Sequence, residues 1–171
     1  MASSYTTNTG LELVTTGEKA GLWGAITNTN LQILEQAATG YLGIDMAGAS
    51  VTLTLTDGAT SNGKNIYLAL TGTLAANRTL TMPATANRVW IVKDETVRGT
   101  SNRTLGVLTA SGSTTTQIPP GATVLCRSNG SETDVTIIQK GYETITDANS
   151  PYTAVAGAQI LANTTSTVIT V

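Results

Sequence analysis

The segment Gly58-Ala-Thr-Ser-Asn-Gly63-Lys64-Asn65 spaces two glycines and a lysine as phosphate-binding loops do. Such loops work because backbone amides and the start of a following helix face the phosphates, with a Ser or Thr after the lysine to hold magnesium. Here Asn65 stands at that last position, and the next residues, NIYLALT, alternate as a strand rather than opening a helix. The segment is expected to be a turn between two strands. The chain has no histidine, which excludes Ser–His and Cys–His nucleophilic pairs. Its one cysteine, Cys126, falls at an alternating position in ATVLCRS and reads as a small buried apolar residue. A metal would have to be held by carboxylates alone, and no metal or cofactor site is expected. The acids Asp45, Asp57, Asp94, Glu95, Glu132, Asp134, Glu143 and Asp147 mostly lie in turns or at strand ends. Glycoside hydrolysis needs two facing carboxylates, and nothing in their spacing sets up such a pair. Asp94-Glu95 ahead of Arg98 reads as a surface ion pair. No catalytic residue is assigned, and the chain is read as a non-enzyme.

The elements that would carry these residues are mostly strands. The chain of 171 residues is long enough for one ordinary domain with a small extra segment. Hydrophobic residues make up 40 %, enough for a core, whereas charged residues make up only 12 %, about half the usual share. Thr, Ser, Asn and Gly carry the polar remainder. With a net charge of −2 and scattered basic residues, neither nucleic acid nor an anionic membrane is an expected partner. The opening MASSYTTNTG lacks the basic and apolar regions of a signal peptide, and no apolar run approaches the roughly 20 residues of a bilayer span. Synthesis in the cytoplasm without membrane insertion is the expectation. The sequons at Asn77, Asn129 and Asn163 are then chance matches in an Asn- and Thr-rich chain.

Residues 1–20 are polar and read as an extended arm that packs on a partner. Residues 21–40 form the one convincing helix, with Thr29 and Gln32 suiting a capping box and Gly40 suiting the position past its end. Trp23, Ile26, Asn30, Ile33 and Ala37 step by 3, 4, 3, 4, the rhythm of a coiled-coil seam, with Asn30 as its polar register residue. Two readings stay open: a short multi-helix junction on a symmetry axis, or an amphipathic helix lying on its own β domain. From residue 46 the period is two. Val51, Leu53 and Leu55 alternate, as do Ile66, Leu68 and Leu70, then Leu80 and Met82. The run Val89-Trp90-Ile91-Val92 suggests a strand buried on both faces or at a subunit contact. Further strands are expected over Thr104–Thr109, Thr123–Arg127 and Asp134–Gln139, with breaks at Asp57-Gly58, Asn62-Gly63, Gly99, Gly112, Pro119-Pro120-Gly121 and Asn129-Gly130. The fold class expected is mainly β: an antiparallel β-sandwich or barrel-like body behind an extended N-terminal arm and one short α-helix. The organisation is 1–40 arm and helix, 41–140 body, and 141–171 a C-terminal β segment. That last segment has a turn at Asn149-Ser150-Pro151 and ends on the strand-like TSTVITV, which either pairs within an oligomer or leads into further chain.

Two stretches resemble bacteriophage virion proteins. SYTTNTGLELVTTGEKAGLWGAITNTNLQILEQA, residues 4–37, is similar to the N-terminal region of phage fibre and other virion structural proteins. Residues 77–138 resemble a β module of the same proteins: RTLTMPATANRVWIVKDE, then SGSTTTQIPPGATVLCRSNGS, then DVTII. The resemblance implies a homotrimeric virion structural protein made in the host cytoplasm, whose N-terminal part docks on the particle. It carries over no catalytic residue. The expected role is the particle-anchoring end of a tail fibre, held by other virion proteins such as a tail adaptor or nozzle. The host surface receptor would be met only through a distal region. The alternatives are a trimeric capsid decoration, cement or head fibre protein and, from another class, a carbohydrate-binding module, which needs an exposed aromatic platform. Leu22, Trp23, Ile26, Asn30 and Ile33 are the candidate virion or subunit contacts, because aromatic and aliphatic anchors dominate interfaces.

Overall fold

The structure, a computed structural model, describes residues 3–84, 87–99, 103–109, 111–112, 114–129 and 133–139, and the backbone of 142–145 and 159–162. The chain is mainly β with a single helix among the described residues. A hairpin of β1 (Ser4–Tyr5) and β2 (Glu12–Leu13) opens it, followed by α1 (Trp23–Thr39). The body contains β3 (Tyr41–Asp45), β4 (Val51–Thr52), a short 3-10 turn (Asn62–Lys64), β5 (Tyr67–Thr71), β6 (Arg78–Met82) and β7 (Asn87–Asp94). It continues through β8 (Leu105–Thr109), β9 (Thr116–Gln117), β10 (Thr123–Asn129) and β11 (Thr133–Gln139). A separate parallel pair, β12 (Tyr142–Ile145) and β13 (Gln159–Ala162), follows.

The body is two open sheets sharing one core. One sheet has the order β11-β10-β7-β5-β3 and the other β4-β6-β8-β9. A sandwich-like body therefore stands as expected, and neither sheet closes into a barrel. Its pairing is mixed rather than antiparallel throughout. β7, β10 and β11 pair antiparallel, as do β8 and β9, but β3, β5 and β7 run parallel, and so do β4, β6 and β8. From β3 to β8 the chain alternates between sheets, laying one strand in each before returning. Tyr41 pairs with Tyr67 and Tyr67 with Ile91, while Val51 pairs with Leu80 and Arg78 with Leu105. A parallel neighbour requires a crossover of a dozen or more residues, and here each crossover carries the other sheet's strand. Short strands separated by turn residues read as hairpins in sequence, but most of these turns are corners between sheets. One signal for the parallel stacking is present: Asn-Arg-Thr-Leu occurs at 77–80 and again at 102–105. The Asn77 side chain accepts a bond from the Thr104 amide at 3.0 Å, and the Arg78 amide donates to the Thr104 carbonyl at 2.8 Å.

Alternation decides what is buried. Leu68 and Leu70, Leu80 and Met82, Leu105 and Val107, and Val124 and Cys126 all point into the one cluster. Trp90 sits at its centre, fully enclosed, with its indole N–H donating to the Gly63 carbonyl at 2.8 Å. The run 89–92 is not buried on both faces: Trp90 and Val92 are sealed, Val89 is exposed and Ile91 half-buried.

The arm folds back instead of staying extended. Ser4 and Tyr5 pair with Leu13 and Glu12, and the turn between them reaches the body at two points. The Gly58 amide donates to the Gly10 carbonyl at 2.8 Å, and the Asn87 amide donates to the Asn8 side chain at 3.1 Å. Gly10 has φ +64, and a Cβ there would lie 2.7 Å from Asp57 Oδ1, so the joint requires glycine. The helix starts at Trp23 after Leu22, six residues before the expected cap. Thr29 lies inside it, donating its hydroxyl to the Ala25 carbonyl at 3.0 Å. Gly40 does follow the helix, but with φ −63; what excludes a side chain is the Gln36 carbonyl, 2.3 Å from where a Cβ would stand. The turn Asn149-Ser150-Pro151 and the run TSTVITV lie outside the described residues.

Candidate assembly surface

The helix encloses one apolar side chain, Ile33, and leaves Trp23, Leu31 and Leu34 exposed. Ile33 is fully enclosed, and Asn30 beside it clamps the arm: its Oδ1 accepts from the Glu12 amide and its Nδ2 donates to the Glu12 carbonyl, both at 2.9 Å. One turn further on, Gln36 accepts a bond from the Ser61 amide at 3.3 Å, tying the helix to the 3-10 turn. Lys19 pairs with Glu12 at 3.1 Å on the outer side of the arm. The neighbouring Ser3 hydroxyl and then Lys19 hold the Glu12 carboxyl below its ordinary pKa, and Glu12 raises that of the Lys19 amine.

The expected contact residues are thus divided. Asn30 and Ile33 are used inside the chain, and Ile26 is half-buried. Leu22 and Trp23 stand free, 53 % and 66 % exposed. The 3, 4, 3, 4 pattern does not present a single open seam, because its polar register residue is already bonded to the arm. Along that edge the helix lies on its own arm and, through Gln36, on the 3-10 turn. At about 3.6 residues per turn the neighbouring arc carries Leu31 and Leu34, both exposed. The sequence places Leu34 on the helix's apolar face with Ile33, Ala37 and Ala38, but neither Leu31 nor Leu34 was expected as a contact. Their signal was that apolar residues cover about half of the helix circumference, more than one packed edge can hide.

The other residues with chemical potential are accounted for by structure. Lys64 is fully enclosed, and its ammonium donates to the carbonyls of Thr56 and Ala59 at 2.6 and 2.7 Å. It closes its own turn instead of facing a phosphate, and no helix follows it, as expected of the near match. Burial lowers its pKa, while Asp57 opposes that shift. The Asp94–Arg98 pair is buried, not on the surface. Asp94 also accepts from the Thr96 amide and hydroxyl at 2.9 and 2.6 Å, so the pair fastens the end of β7 to the loop after it. Cys126 is sealed in the core, and burial pushes its thiol up to about 12. Among the described residues no group of three or more His, Cys, Asp or Glu is placed to hold a metal. Glu132, Glu143, Asp147 and Asn163 have no described side chain. On the outer face of the five-stranded sheet, Tyr41 and Tyr67 stack with centroids 5.6 Å apart at 19°, and Tyr41 is 64 % exposed.

No family model, curated protein or solved structure matches the chain.

Proposed function

We propose that the chain is a non-enzymatic structural component of a bacteriophage virion, the particle-anchoring part of a tail fibre, working as a homotrimer. The observation that carries this reading is the apolar surface of α1. Trp23, Leu31 and Leu34 remain exposed on a helix already fixed by its other edge, and Leu22 is exposed at its cap. Exposed apolar residues grouped on one rigid element mark a contact surface, and they lie within or beside the stretch 4–37 that resembles virion anchors. A low-charge surface rich in hydroxyls suits stacking against other copies and other virion proteins. Receptor contact belongs to a distal region, and the mechanism is mechanical attachment.

The test is incorporation. Trp23→Ala, expressed during infection, should leave the body folded and reduce the chain in purified particles at least about tenfold, a loss of about 1.4 kcal/mol in docking. Normal incorporation would sink the reading. Binding of the purified chain to isolated tails supports the fibre role, whereas binding to empty heads selects the capsid decoration or head fibre alternative.

A second reading, a carbohydrate-binding module, draws on the stacked Tyr41–Tyr67 pair, which supplies the exposed aromatic surface that Trp90 does not. Tyr41→Ala should then reduce binding to host-surface glycans, and unchanged binding would remove this reading.

A further inference from the structure

The two sheets of the body present different outer faces. Register sets Tyr41, Tyr67, Ile91 and Leu125 side by side in one row across β3, β5, β7 and β10. Their chain neighbours Leu42, Leu68, Trp90 and Val124 turn into the core, so this row points outward. Val89, two residues before Ile91, lies on the same side. Tyr41 and Val89 are exposed, and Tyr67, Ile91 and Leu125 are half-buried. On the four-stranded sheet the outward positions are Thr52, Thr79, Thr81, Gly106 and Gln117, with Leu108 apolar among them. The water-facing side of a sheet is ordinarily polar, and of these two faces the threonine one fits that rule.

The second open apolar surface is on α1. At 3.6 residues per turn, Trp23, Leu31, Leu34 and Ala38 fall within an arc of about 80°, and all four are exposed. Glu35, the one charged residue of the helix, borders that arc. Cations border the sheet face on both sides: Lys93, two residues past Ile91, and Arg127, which pairs with Val89. Arg127 is largely exposed, and its contact with Asp134 is a loose 3.9 Å. Asp45, four residues beyond Tyr41, is turned to the Ala47 amide at 2.9 Å. The charge at the helix arc is thus opposite in sign to the cations around the row. The two surfaces do not meet within one chain, because Asn30 and Gln36 fix the helix by its other edge and leave both surfaces open. A helix stripe and a sheet face are the surfaces that layered folds bury against each other, so a second copy supplies what each one lacks.

We propose that the outer face of the five-stranded sheet, centred on Tyr41, Tyr67, Ile91 and Leu125, receives the exposed arc of α1 from a neighbouring copy of this chain. The contact joins unlike surfaces, so it runs head to tail, and a closed ring of three uses every helix and every sheet face. It rests on the homotrimer of the first functional reading and assigns the tyrosine pair to a subunit contact instead of to a glycan.

The experiment is complementation between two variants of the full chain, read by light scattering after size exclusion. Leu34→Lys spoils the helix arc and Tyr41→Lys spoils the sheet face, each at an exposed side chain. Each variant alone should fall from three times 17.6 kDa to the single-chain mass with an unchanged far-ultraviolet spectrum. Mixed in equal amounts at raised concentration, they should form a species of twice 17.6 kDa, because one intact arc still finds one intact sheet face. If either variant fails to fold, Leu31→Lys or Val89→Lys, also at exposed positions, takes its place. The proposal is overturned if the sheet-face variants stay trimeric while the helix variants dissociate. The homotrimer would then stand, with its helices meeting some other surface. It is also overturned if the mixture stays at the single-chain mass. A parent chain that is itself a single chain in solution would remove the homotrimer and this contact together, and incorporation into particles would still test the virion reading separately.

Discussion

The β body and the helix hide their apolar residues to very different extents. In the body, strand after strand sends alternate side chains into one cluster, from Ile44 on β3 to Cys126 on β10. The helix of 17 residues seals only Ile33. The periods explain the contrast. A strand facing a second sheet turns every other residue inward. A helix lying along one edge hides a narrow stripe and leaves the rest of a broad apolar arc outside. The body is therefore the unit that holds itself together, and the helix is an attachment with surface left over.

The largest effect that could break this comparison is in the body. Trp90→Ala removes the largest enclosed side chain and its bond to Gly63. It should cost about 3–5 kcal/mol in denaturant unfolding. A loss below about 1 kcal/mol would mean that the two sheets do not share one core.

Ile33→Ala tests the other side. It should cost about 2–4 kcal/mol, but locally. Amides of α1 should exchange faster while those of β7 and β10 keep their protection, because the helix opens as a unit of its own. If the β amides lost protection equally, the helix would belong to the folding core after all.

Much of this division could be read from the residues. Period two located β5, β6, β8 and β10 and the burial of Cys126, and the apolar spacing located the helix. Strand direction could not be read, because a corner between sheets and a hairpin use the same turn residues. Asp57-Gly58 and Asn62-Gly63 look like hairpin turns but lie inside one crossover, whereas Asn129-Gly130 does join the antiparallel β10 and β11. At the surface, Trp23 stands out in the sequence and is exposed in the structure, but the use of Asn30 could not be read. Its partner is the backbone of Glu12, 18 residues away, and a backbone group carries no sequence signal.

Cys126 sharpens the picture of the body through pH. Its folded pKa, about 12, lies above the ordinary 9.0 because the core desolvates the thiolate. A raised value means that the folded chain resists losing this proton. The stability it protects is therefore intact below pH 9 and declines toward pH 12. The slope from this group is about 1.4 kcal/mol per pH unit within that window. Tyr and Lys groups titrate there too, so the measurement is a difference: Cys126→Ala should flatten the alkaline decline relative to the parent chain. Parallel declines would show that the thiol is not enclosed in solution.

The smallest expected effect on stability is on the open arc of the helix, and it discriminates best between packing and assembly. Leu34→Gln exchanges one good helix former for another at an exposed position, and Trp23→Ala truncates a side chain that the chain itself hardly covers. Each should change the unfolding free energy by no more than about 0.5 kcal/mol. If these residues serve the proposed trimer, the same substitutions should lower the solution mass from three times 17.6 kDa toward the single-chain value. Light scattering after size exclusion reads that change directly. A variant that keeps both its stability and its mass would leave the exposed arc without a subunit contact. Particle docking would then be the only use of this surface in the proposed reading. A variant that loses stability as a monomer would show that the arc is packed in solution, and the contrast between body and helix would fail.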